Sequence, residues 1–271
     1  MDYEFSARIS SLQPSAIREI LKAASDPNLI SFAAGNPAPE SFPVADIRRI
    51  SAQILENNAA EALQYGISEG YTPLHDVLRT RMRDKFRCGG DGDDLIIVSG
   101  AQQGIELSCK VLCNEGDTVL CENPSFIGAL NAFRSYNVNL RGVPVEADGI
   151  SIPGLEQALN EEKRTKLLYL IPTFQNPTGI TMSEEKRRCV YALAKKYGVM
   201  IIEDNPYADL RFSGSEVPLI KSFDTDGLVI YCGSFSKVLS AGMRVGFVIA
   251  PKPVISKLVV AKQVSDVHTN L

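Results

Sequence analysis

From Asp94 onward the chain alternates short β-branched, apolar runs with helical stretches, and few architectures can accommodate that pattern. A strand that is apolar throughout is buried on both faces, so helices must cover it on either side, and successive strands joined by helices run parallel. The runs fall at residues 95–98, 118–121, 139–143, 167–171, 199–202, 228–231 and 245–249, with helical patterns at 102–112, 126–136, 153–160 and 183–197. The expected fold is therefore α/β, a three-layer α/β/α sandwich around a mainly parallel, seven-stranded sheet. With 271 residues, 45% of them hydrophobic, the chain has enough apolar material for one sizeable core.

The first ninety residues differ. Three amphipathic helical patterns, at 14–24, 43–57 and 73–86, are separated by the Gly/Pro-rich stretch Ala34-Gly35-Asn36-Pro37-Ala38-Pro39. Such a segment suits an arm lying on another body, which divides the chain into a helical arm over 1–90 and a large domain over 91–271.

Several function classes are disfavoured. A formal charge of −4 offers no basic field to gather nucleic acid or an anionic membrane surface. No apolar run is long enough to span a bilayer, and Met1 to Ser11 carry no secretory or transit pattern. The six cysteines lack CxxC spacing and sit in apolar segments, as reduced core residues of a cytoplasmic protein do. His75 and His268 are the only histidines, too few for most zinc sites or a Ser-His-Asp arrangement.

Ligand sites of doubly covered sheets lie at the carboxyl ends of the strands, and the unusual residues of this chain cluster there. After the run ending at Tyr231 comes Gly233-Ser234-Phe235-Ser236-Lys237, and seven residues later Arg244 enters the next strand. Alone, Lys237 reads as a solvated surface lysine; with Ser234, Ser236 and Arg244 it stands beside a set of donors suited to a phosphate. At Val98-Ser99-Gly100-Ala101-Gln102-Gln103-Gly104 a strand ends in small residues where a helix begins, either a plain turn or a second phosphate element using exposed helical amides. Its glycine spacing matches neither GxGxxG nor GxxxxGK[ST]. Glu203-Asp204-Asn205-Pro206-Tyr207 puts an acid at the end of a buried strand, either capping a turn or meeting a cation such as a protonated pyridine nitrogen. Pro172-Thr173-Phe174-Gln175-Asn176-Pro177-Thr178-Gly179 is either a turn that meets no ligand or a loop, fixed by two prolines and a glycine, that aims the Asn176 amide at a ligand oxygen.

These four elements, in this order, resemble the fold type I pyridoxal-phosphate (PLP) aminotransferases, most of all the subgroup holding 2-aminoadipate and kynurenine aminotransferases and the aminotransferase-like half of GntR-type regulators. The similarity runs from about residue 30 to Leu271. It implies that Lys237 forms a Schiff base with the cofactor and carries the substrate proton. By the same resemblance Asp204 pairs with the ring nitrogen, and Asn176 and Tyr207 donate to the phenolic oxygen. The Gly100-Ala101-Gln102 turn, Ser234, Ser236 and Arg244 hold the phosphate. Phe126 takes the place of a ring-stacking tyrosine. Tyr65 resembles a tyrosine that reaches the phosphate of a neighbouring subunit, which implies a homodimer. Gly35, with Asn176, is expected beside the substrate carboxylate. The expected reaction moves an amino group between an amino acid and a 2-oxo acid. A PLP-holding regulator domain and a PLP-dependent lyase or decarboxylase are the alternatives. Relatives continue past this point into a small domain that carries the carboxylate-binding arginine. That domain is expected to be absent here, with cofactor binding easier to retain than turnover.

Overall fold

The computed structural model describes residues 2–10, 12 and 35–271; the helix expected at 14–24 and the stretch before Gly35 lie outside them. Eight strands form one sheet in the order β1-β8-β7-β6-β5-β2-β3-β4. They are β1 (Asp93–Val98), β2 (Thr118–Asn123), β3 (Asn139–Glu146), β4 (Gly149–Ile150), β5 (Thr165–Leu170), β6 (Met200–Asn205), β7 (Val229–Ser234) and β8 (Gly246–Pro251). All seven expected runs are strands. The count of seven is corrected to eight by β4, a two-residue strand antiparallel to the end of β3 and too short to leave a pattern in the sequence.

The sheet is parallel except for β4 and β8. β8 runs antiparallel to both neighbours, β1 and β7. Only 235–245 join β7 to β8, too few residues for the helical crossover that a parallel pair needs.

Helices cover both faces. On one lie α3 (Ala101–Leu112), α4 (Ile127–Arg134) and α7 (Lys252–Gln263), burying Ile105, Phe133 and Leu258 against Ile96, Val119, Tyr169, Ile230 and Val248. On the other lie α2 (Thr72–Phe86), α5 (Ile152–Glu161) and α6 (Glu184–Tyr197), through Leu78, Met82, Leu155 and Val190. β7 shows why both layers are needed: Ile230 and Cys232 belong to the first core, Val229 and Tyr231 to the second. Burying each such side chain contributes about 1.5–3 kcal/mol. The helix α1 (Val44–Asn57) buries none of its residues against this body.

Local sequence sets the ends of these helices. The Ser183 hydroxyl accepts from Lys186 N, Glu184 and Glu185 occupy the first turn of α6, and Lys195 and Lys196 the last, matching the helix dipole. Gly198 then stops the helix with a positive φ of 68°.

The register brings the site together. Val98 of β1, Gly246 of β8 and Ser234 of β7 lie side by side across three strands. A Cβ on Gly246 would stand 2.7 Å from Ala101 N and 2.8 Å from both Gly100 C and Gly233 O, all backbone atoms that cannot swing aside. Gly246→Ala is expected to destabilise the fold by about 3 kcal/mol, the upper end of overpacking costs, measured as a lowered midpoint in urea with an unchanged m-value.

Candidate active site

A cavity of about 380 Å³ opens at the carboxyl ends of β5, β6 and β7, and residues from all four sequence elements line it. Lys237 enters from the turn after β7. That turn, Ser236–Ser240, is a single π-helical turn in which Ser240 N donates to Phe235 O at 3.2 Å. Such wide turns recur at functional sites because they displace one side chain from the helical row. The lysine is half-buried, its Nζ donates to the Gly35 carbonyl at 3.0 Å, and loss of hydration holds its pKa below the ordinary lysine value.

Asp204 belongs to β6 and is 3% exposed. Its Oδ2 accepts from the Tyr169 hydroxyl at 2.7 Å; its Oδ1 is buried with no hydrogen-bond partner. Burial raises its pKa to about 6 although the Tyr169 hydrogen bond opposes the rise. A buried carboxylate oxygen left unanswered is costly unless a ligand supplies a donor or a cation. Asn176 Nδ2 donates to the Tyr207 hydroxyl at 3.3 Å, so two polar groups converge on one spot, and burial lifts the Tyr207 pKa.

At the other end of the cavity, Gly100 has φ 79° and no side chain caps the α3 N-terminus that follows it. Arg244, itself at φ 54°, donates through Nη1 to Ser236 Oγ at 3.4 Å and through Nη2 to Ser99 O at 3.3 Å. A Cβ on Gly100 would fall 2.3 Å from Arg244 Nη2, so the guanidinium lies against the bare backbone. Ser234 Oγ accepts from Ser236 N at 3.1 Å. Open helical amides, two hydroxyls and an arginine make an anion cradle.

The structure thus brings Ala101, Gln102, Phe126, Asn176, Asp204, Tyr207, Ser234, Ser236, Lys237 and Arg244 around one cavity. Gly35 touches it through the Lys237 hydrogen bond. Tyr65 does not line it: its side chain is 80% exposed and meets the ring edge of His268 at 5.9 Å between centroids.

Three supporting residues were not singled out from sequence. Tyr169 is buried one strand away from Asp204. Gln175 donates to Pro124 O at 2.8 Å and to Glu122 Oε2 at 3.4 Å, and its Oε1 accepts from Thr178 N at 2.9 Å. It thereby ties the Asn176 loop to the segment leading to Phe126. Glu122, whose pKa burial raises to about 7, also accepts from Ile171 N at 2.9 Å. The one signal in the sequence was Gln175's place within the rigid loop; Tyr169 and Glu122 resembled any strand residue.

Known proteins are similar to this chain in sequence and fold. The chain is 42% identical to an aromatic-amino-acid aminotransferase 1 of Thermococcus litoralis over all of its own length and 66% of that protein's. It is 40% identical to a 2-aminoadipate transaminase of Thermus thermophilus, over 95% of this chain and 64% of that one. Among solved structures, Pyrococcus horikoshii kynurenine aminotransferase superposes with a TM-score of 0.93 at 38% identity, covering 98% of this chain and 67% of that one. The chain therefore spans about two thirds of the length of these aminotransferases. The family model for aminotransferase class I and II matches residues 27–266, so the strands, turns and cavity described above are those of a member, and the chain belongs to that family.

Proposed function

We propose that this chain is the cofactor-binding portion of a PLP-dependent aminotransferase that moves an amino group between an amino acid and a 2-oxo acid. The observation that carries the reading is that Lys237 and Asp204 line one cavity, with Asp204 Oδ1 buried and unpartnered. When bound, PLP supplies an aldehyde that condenses with amines and a ring that, protonated at nitrogen, draws electrons from the substrate's α-carbon.

The chain's own residues do the rest. Asp204, whose Oδ1 is buried and has no protein partner, would face the ring nitrogen and would favour its protonated form. Asn176 and Tyr207 hold the phenolic oxygen. Phe126, which lines the cavity, would stack on the ring. The Gly100-Ala101-Gln102 turn, Ser234, Ser236 and Arg244 grip the phosphate, and the grip resists rotation while bonds at the α-carbon change. Lys237 Nζ would hold the cofactor covalently and would be the amine that carries the proton at the substrate's α-carbon. Its lowered pKa favours the unprotonated amine this needs. Gly35 borders the substrate carboxylate, and Tyr65 reaches the phosphate of a second copy in a homodimer. Residues 1–90 are the arm and 91–271 the large domain. Six unpaired thiols suit the reducing cytoplasm.

The purified chain is expected to develop the absorbance band of covalently held PLP, and borohydride followed by mass analysis to place a phosphopyridoxyl group on the Lys237 peptide. Absence of both band and label would overturn the reading. Because a Cβ at Gly100 collides with the Arg244 guanidinium, Gly100→Ala is expected to weaken PLP binding about tenfold, the loss of one charge-assisted contact, in the same titration.

A further inference from the structure

A larger cavity, of about 500 Å³, lies on the α2–α6 face, away from Lys237 and Arg244. Its walls carry Lys85 and Arg87 from the end of α2, Arg188 from α6, and Arg211 from the segment after β6, against the single carboxylate of Glu216. In a chain whose net charge is −4 this is a local concentration of positive charge.

Three of these four charges are held in place. The Arg211 guanidinium carbon stands 4.6 Å from the centroid of the Phe174 ring, Arg188 stands 4.1 Å from that of Phe223, and Lys85 Nζ 4.8 Å from that of Phe86. Cation–π stacking of this kind fixes the direction of a guanidinium and leaves its edge donors free. Lys85 is answered by Asp209 at 2.9 Å and Glu216 at 3.4 Å, and Arg188 by Glu184 at 2.6 Å. Arg87 and Arg211 have no carboxylate partner among the described residues, where the ion pairs of this wall are those of Lys85 and Arg188. Behind the wall, the fully buried Arg187 spends its donors on neutral oxygens, those of Met182, Pro172, Pro218 and Thr173 among them, so no hydrogen-bonded acid cancels its charge. Burial lowers the Arg187 pKa; facing Glu203 opposes this, and Arg211 adds to it.

We infer that this cavity is a second binding site, for a small, multiply charged oxyanion such as a phosphorylated or polycarboxylate metabolite, clasped by Arg87 and Arg211. The stacked Arg211 guanidinium and the exposed Arg87, neither with a carboxylate partner, stand beside a buried third guanidinium and offer planar donor edges suited to phosphate and carboxylate oxygens. The volume exceeds that of the cofactor cavity and is in the range of small-molecule sites. The site also adjoins the catalytic loops: Thr173 and Ala208 line it, three residues before Asn176 and one after Tyr207. The inference does not depend on the aminotransferase reading.

The test is calorimetric titration of pyrophosphate and, separately, citrate into the purified chain at low ionic strength. At least one of the two is expected to bind once per chain. Arg87→Gln with Arg211→Gln is expected to weaken that binding tenfold or more. Glu216→Gln, which removes the one negative charge of the wall, is expected to tighten it several-fold, a change that misfolding does not produce. Arg244→Gln, in the phosphate cradle of the first cavity, is expected to leave it within twofold. No binding of either anion overturns the proposal. So does binding that Arg244→Gln abolishes while the Arg87/Arg211 double variant retains it, because the ion then sits in the first cavity.

Discussion

Lys237→Ala is expected to abolish the phosphopyridoxyl label and to lower transaminase turnover by about a thousandfold or more, the scale of losing a positioned proton carrier together with the covalent anchor. Folding should survive. The side chain is half-buried and its hydrogen bond runs to the Gly35 carbonyl, so truncation leaves no buried charge behind and the unfolding midpoint should move little. PLP should still bind, more weakly, through Asp204 and the cradle around Arg244. A small primary amine added to the medium is expected to restore part of the turnover, because it supplies the missing base without changing any other contact. A label retained at the wild-type stoichiometry in Lys237→Ala would show that another amine holds the cofactor.

Asp204→Asn should separate stability from chemistry. The ordinary carboxyl value of 3.8 is raised by burial to about 6, so the folded chain takes up this proton more readily than the unfolded one. Such a group costs nothing below pH 4. Its penalty grows as the pH rises from about 4 to about 6, and above that it stays at about 3 kcal/mol. Asparagine carries no charge at any pH. The cofactor-free variant is therefore expected to be more stable than the parent by about 2–3 kcal/mol at pH 8, with the advantage shrinking toward zero near pH 4 in urea melts. Turnover should move the other way, falling about a hundredfold or more, because a neutral amide does not hold a proton on the ring nitrogen. If the variant is destabilised at pH 8, or matches the parent in turnover, Asp204 does not have this role.

The sheet and much of the cavity could be read from the sequence because both write themselves locally. Strands buried on two faces are unbroken apolar runs, and ligand-facing loops follow them directly, so Lys237, Arg244, Asn176 and Asp204 could be placed at strand ends by counting. What escaped depends on contacts between segments distant in sequence. α7 was not anticipated: its run Val-Ile-Ser-Lys-Leu-Val-Val-Ala-Lys is rich in β-branched residues, and Lys262, polar in sequence, is fully buried, with Nζ 2.8 Å from both Asp266 Oδ1 and Gln103 Oε1. The direction of β8 is set by a short connection, which strand periodicity does not report. Tyr169 joins the site only because β5 and β6 are neighbours in register, Tyr169 opposite Ile202.

The position of β8 also bears on how the chain is made. Its partners are β7, just completed, and β1, synthesised far earlier, with Val98 waiting for Gly246. As the nascent polypeptide leaves the ribosome, β1 has no partner strand among the described residues until β8 emerges and slots in beside it. An apolar strand kept waiting in this way is exposed to wrong pairing, and closing so long a loop is slow. Ribosome-stalled chains that have not yet released Pro251 should therefore remain protease-sensitive at 93–98 and engage chaperones, and a few more residues of synthesis should end both.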